Sequence, residues 1–66
     1  MNKTWDIMLN EVFDEDSIKD LCRSSKDTTY DVETKTIRVS GSQEKLNELS
    51  RAAKKYAEIW GVILLW

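Results

Sequence analysis

The sequence predicts an α+β fold, a small two-layer sandwich of one sheet and two helices formed as a single domain over residues 1–66. Three observations predict it. Apolar residues recur at helical spacing in two stretches, near Ile18 and again from Leu46 onward. They alternate with polar residues between Thr29 and Val39, as in half-buried strands. The composition, 41% hydrophobic and 33% charged with two glycines and no proline, is that of a compact, element-rich chain rather than a disordered one.

The first element admits two readings. With period 2, Trp5, Ile7 and Leu9 face one way and Asp6, Met8 and Asn10 the other, giving a strand over residues 4–10. With period 3.6, Trp5, Met8, Leu9, Val12 and Phe13 form a helical stripe behind a Thr4 cap. A new helix starts at about Asp14, whose side chain suits an N-cap, with Phe13 positioned to staple onto Ile18. It runs through Ile18, Leu21 and Cys22 to about Ser25. Asp14, Glu15 and Asp16 sit at its positive end, where the macrodipole favours carboxylates.

Two short runs, Thr29–Val32 and Thr36–Val39, flank Glu33-Thr34-Lys35 and predict a β-hairpin whose buried face carries Tyr30, Val32, Ile37 and Val39. From Ser42 the apolar positions Leu46, Leu49, Ala53, Tyr56 and Trp60 predict one long helix, capped by Ser42 or by a Ser40–Gln43 capping box and stopped by Gly61. Glu44, Lys45, Glu48, Arg51, Lys54, Lys55 and Glu58 occupy its other face, with Glu48 and Arg51 spaced to pair. The apolar run Val62–Trp66 then predicts a last strand.

The strand reading of residues 4–10 gives β-α-β-β-α-β, which resembles the ferredoxin-like order, and is favoured because one core then collects Trp5, Ile7, Leu9, Ile18, Leu21, Tyr30, Val32, Ile37, Val39, Leu46, Leu49, Ala53 and Tyr56. The helical reading gives α-α-β-β-α-β. The resemblance rests on element order alone, and no motif assigns a family.

Much chemistry is excluded. Without histidine there is no Ser-His-Asp or Cys-His triad and no common zinc site. Cys22, the single cysteine, lies on an apolar stripe and is read as a small core residue rather than a nucleophile. Asp14, Glu15 and Asp16 fail the EF-hand pattern, which places Ile18 and Lys19 where a ligand and a glycine are required. Two isolated glycines make no phosphate loop. The expectation is a non-enzyme with no catalytic residue, metal or cofactor.

The formal charge of −2 divides into seven acids and four bases over residues 1–29, and five acids and six bases over residues 30–66. Neither half is a polyelectrolyte. A lone cysteine and no leader segment point to a reducing, cytoplasmic setting. The C-terminal apolar run is too short to span a bilayer, so no membrane partner is expected.

The anomaly is Val62–Trp66, which has no polar residue on either parity. With Val62, Leu64 and Trp66 in the core, Ile63 and Leu65 would lie on the open sheet face beside Met8, on an edge strand without proline or lysine. Ile63, Leu65, Trp66 and Met8 are therefore the candidate partner-binding residues. The partner is another protein or a second copy in a homodimer. The favoured function is a small protein that masks a surface on a larger one, of inhibitor, antitoxin, immunity or phage-accessory type. The alternative is a nucleic-acid-binding module using Lys35, Arg38, Arg51, Lys54 and Lys55. Trp5, Trp60 and Trp66 are candidates for either core or hot spot.

Overall fold

In a computed structural model that describes residues 3–65, the chain forms β1 (Lys3–Leu9), α1 (Glu15–Ser24), β2 (Thr28–Asp31), β3 (Thr36–Gly41), α2 (Gln43–Ala53) and β4 (Ile59–Leu64). The four strands make one antiparallel sheet in the order β2-β3-β1-β4. Both helices pack on the same side of it. Period 2 governs β1: Trp5, Ile7 and Leu9 are buried, while Asp6 and Met8 are half-exposed on the other face.

Local signals set the helix starts. Asp14 caps α1, with Oδ1 accepting from the Ser17 amide and Oδ2 from the Ser17 hydroxyl. Ser42 caps α2 by accepting from the Lys45 amide. Ser40 does not cap: its hydroxyl lies 3.0 Å from that of Thr4, bridging β3 to β1. The hairpin pairs Tyr30 with Ile37 and turns through Val32–Lys35. Asp31 accepts from the Glu33 and Thr34 amides, Lys35 takes a φ of 52°, and its carbonyl accepts from Leu9 N–H. Hairpin and β1 are thereby tied together at one end of the sheet.

The core comprises Trp5, Ile7, Leu9, Ile18, Cys22, Ile37, Val39, Leu46, Leu49 and Ala53, with Phe13, Leu21, Tyr30, Ala57 and Ile59 packed at its margin. Its centre is fully dry: Ile7, Ile18, Ile37 and Val39 expose almost nothing.

Five expectations are corrected. The second helix ends at Ala53 rather than at Trp60. Lys55 N–H and Tyr56 N–H bond to Ala52 and Ala53 three residues back, tightening the chain into a turn. Two further bonds, Asn10 N–H to the Glu58 carbonyl and Asp14 N–H to the Tyr56 carbonyl, fasten the returning segment to the loop after β1. Gly61 is accordingly not a helix stop; it sits inside β4 opposite Met8. Tyr56 and Val32 are exposed, not core, because one falls in the turn after α2 and the other in the hairpin turn. Val62 and Leu64 share the core-side parity but stay about half exposed, since α2 is too short to reach over β4. Among the described residues the ion pairs are Glu15–Lys19, Asp20–Arg23 and Asp6–Arg38; Glu48 and Arg51 do not pair.

Candidate protein-interaction surface

The open sheet face divides into a polar and an apolar half. On the polar side Arg38 donates from Nε and Nη2 to the two carboxylate oxygens of Asp6, its register neighbour on β1, at 2.9 and 3.3 Å. The carboxylate, by hydrogen bond and by charge, raises the guanidinium above its already high ordinary value. Thr29, Asp31 and Thr36 continue this half across β3 and β2.

On the apolar side lie Met8 and Ile63. A Cβ added at Gly61 would come within 3.3 Å of the Met8 methyl, so the thioether lies across the glycine. Trp60 is the extra residue of a β-bulge, because Met8 faces Gly61 while Leu9 faces Ile59. Its ring is 73% exposed and borders a cleft with Met8, Thr36, Lys35 and Glu11.

Exposure extends around the strand. Ile63 is 47% exposed on the open face, and Val62 and Leu64 are 43% and 53% exposed on the opposite one. Neither helix packs extensively on β4, whose contacts are mainly with β1. The free edge is equally bare. Leu65 N–H donates to the Thr4 carbonyl at 2.8 Å. Bonding alternates along an antiparallel strand, so Ile63 bonds to Asp6 while the backbone groups of Val62 and Leu64 point outward. The opposite edge differs: β2 has only four residues and packs on α1.

Comparison with family models, with curated proteins and with solved structures finds no match to this chain. The surface therefore has to be read from its own residues.

Of the four residues expected to bind a partner, Ile63 and Met8 lie on the open face, Leu65 is half-buried at the end of β4 against Thr4, and Trp66 lies outside the described residues. The sequence places Trp60 on the long helix and leaves it open between core and hot spot; the structure exposes it on β4. The run Ile59-Trp60 of high strand propensity directly before Gly61 was the signal for it. Trp5 is core.

The residues of the nucleic-acid alternative are dispersed. Arg38 is paired on the open face, and Lys35 holds its ammonium 5.9 Å from the Phe13 ring at the hairpin turn. Arg51, Lys54 and Lys55 lie on or just after α2, in the other layer. No single groove collects them.

Cys22 is buried on α1, and burial pushes its thiol up to about 11, which keeps it protonated at neutral pH. Tyr30, whose hydroxyl is buried without a hydrogen-bond partner, is also raised, first by burial and then by the negative charges of Glu15, of Cys22 once ionised, and of Asp31. Among the described residues no cluster of three or more Cys, Asp or Glu is arranged to hold a metal ion. No helix among them is long and apolar enough to cross a membrane.

Proposed function

We propose that this chain is a small non-enzymatic interaction module that binds protein through β4, either masking a surface on a larger protein, as inhibitors, antitoxins, immunity proteins and phage-accessory proteins do, or pairing with a second copy of itself. The observation that carries the reading is the exposure of β4 on both faces and along its edge, with Trp60, Val62, Ile63 and Leu64 all open to solvent. Contiguous apolar surface on a small domain marks an interaction site, and an edge strand without charge or proline favours partners that add a strand. Trp60 is the natural anchor, since tryptophan supplies large contact area at low entropic cost. The element order and the sheet order β2-β3-β1-β4 support a ferredoxin-like assignment for the scaffold. The thiol of Cys22, buried and protonated, supports a packing role in place of catalysis.

Site-specific photo-cross-linking in cells tests this reading. A photoreactive residue in place of Trp60 or Ile63 is expected to yield discrete adducts with protein, whereas one in place of Arg51 on α2 yields none. Adducts from Arg51 alone, or none from β4, would refute it.

A further inference from the structure

β4 carries a geometry that suits one occupant in particular. The outward-pointing backbone groups of Val62 and Leu64 alternate with Ile63, which bonds inward to β1. Such an edge is self-complementary under a two-fold rotation, because an antiparallel strand offers its mate the same donors and acceptors in reverse order. With the axis through Ile63, Val62 of each copy exchanges both backbone bonds with Leu64 of the other. The two Ile63 residues then meet as a non-hydrogen-bonded pair on the open face. Val62 and Leu64 cover one another on the helix side, where α2 leaves them half exposed.

Charge favours the same arrangement. β4 holds no ionisable residue, so two copies of a chain with net charge −2 approach there without like charges in contact. The nearest carboxylate on the open face, Asp6 beside Ile63, is already matched by Arg38.

We infer that the occupant of β4 is a second copy of this chain, docked by antiparallel β4–β4 pairing into a continuous eight-stranded sheet. This rests on the reading of β4 as the interaction surface and names its partner. The interface is modest: the exposed parts of Trp60, Val62, Ile63 and Leu64 offer on the order of 400 Å² per copy, against about 800 Å² per partner in a standard interface. Association is therefore expected to be weak and reversible.

Sedimentation equilibrium of the full chain from about 1 µM to about 1 mM reads this directly. The wild type is expected to pass from monomer to dimer across that range. Val62→Pro removes an N–H that bonds nothing within the monomer and places its ring where the second strand would lie, so it is expected to abolish the dimer. Ile63→Lys opposes two ammonium groups at the axis, with an expected loss of at least about 100-fold in association. Both variants should keep the wild-type circular dichroism when dilute. In a Cys22→Ser background, Ile63→Cys is expected to oxidise to a disulfide-linked dimer, because the facing Cα atoms of such a pair lie about 4.5 Å apart. A wild type that stays monomeric throughout, or a dimer that survives both Val62→Pro and Ile63→Lys, overturns the inference. A monomeric wild type whose Trp60 and Ile63 positions still cross-link to a different protein would overturn only the second copy, leaving β4 as the interaction surface.

Discussion

Leu49 and Leu64 provide a matched pair for testing how unevenly this domain is covered. Truncation to alanine deletes the same atoms at both positions. Leu49, on the sheet-facing side of α2, is 5% exposed, whereas Leu64 is 53% exposed although it faces the helix layer beside Trp5. A fully buried leucine costs about 2–5 kcal/mol on truncation, because a cavity adds to the lost transfer energy. At Leu64 no enclosed cavity forms and only about half the side chain is shielded, so the expected cost is about 1 kcal/mol. The whole domain should have a stability of only about 3–10 kcal/mol. Leu49→Ala therefore removes much of it. With a urea slope of about 1 kcal/mol per molar for a chain this size, Leu64→Ala should move the unfolding midpoint by about 1 M when measured dilute. Leu49→Ala should move it several-fold further or remove the folded baseline altogether. If copies pair through β4 as inferred, the Leu64→Ala deficit should grow at high protein concentration, because the truncated side chain no longer meets Val62 of the second copy. Equal losses at the two positions, independent of concentration, would refute the account of β4 as uncovered.

Three further outcomes follow from the structure. Cys22 should resist thiol reagents at neutral pH and react only on unfolding or as the pH approaches 11; rapid modification of the folded protein at pH 7.5 would contradict its burial. Its linkage has a definite sign: a thiol raised from 9.0 to about 11 leaves stability intact below 9 and lowers it between 9 and 11, because the unfolded chain releases the proton first, and thermal melts across that window check it. Titration with single-stranded RNA or DNA should give no saturable, steeply salt-dependent binding, as the basic residues are split between Arg38 on the open face and Arg51, Lys54 and Lys55 near α2 in the other layer. Tight binding lost on charge reversal at Arg51, Lys54 and Lys55 would restore that alternative.

The elements legible in the sequence were those with a local chemical cause. Asp14 and Ser42 are good caps whatever surrounds them, and Tyr30 and Ile37 alternate with polar neighbours in a register that the Asp31 turn enforces. β1 was ambiguous because Trp5 and Leu9 satisfy both periods. Its place between β3 and β4 settles it as a strand, and that pairing is a tertiary fact. The end of α2 is not legible in the sequence for a related reason. Tyr56 and Trp60 continue the spacing of Leu46, Leu49 and Ala53, and no glycine or proline interrupts residues 54–58. Pairing of Ile59–Leu64 with β1 competes with that continuation and wins, so the helix yields five residues to a return turn. The candidate surface is legible in Ile63 and Met8, whereas Trp60, a candidate for core or hot spot, is placed by the same spacing on the helix instead of on β4.

The early end of α2 bears on why β4 is apolar at all. Had α2 run on to Trp60, it would have covered a final strand, and an unbroken run of Val62, Ile63, Leu64 and Leu65 would have been half explained by the core. With α2 ending at Ala53, the monomer demands little of these side chains: Ile63 packs only on the open face, and Val62 and Leu64 are about half shielded. The strand needs β-formers to pair with β1, but threonine would serve at positions 62 and 63 with small cost to a monomer. Apolarity on both parities is therefore in excess of what the fold uses. An edge that is apolar beyond the needs of its own core, with its backbone groups free, is one that a strand of matching pattern would stabilise in water.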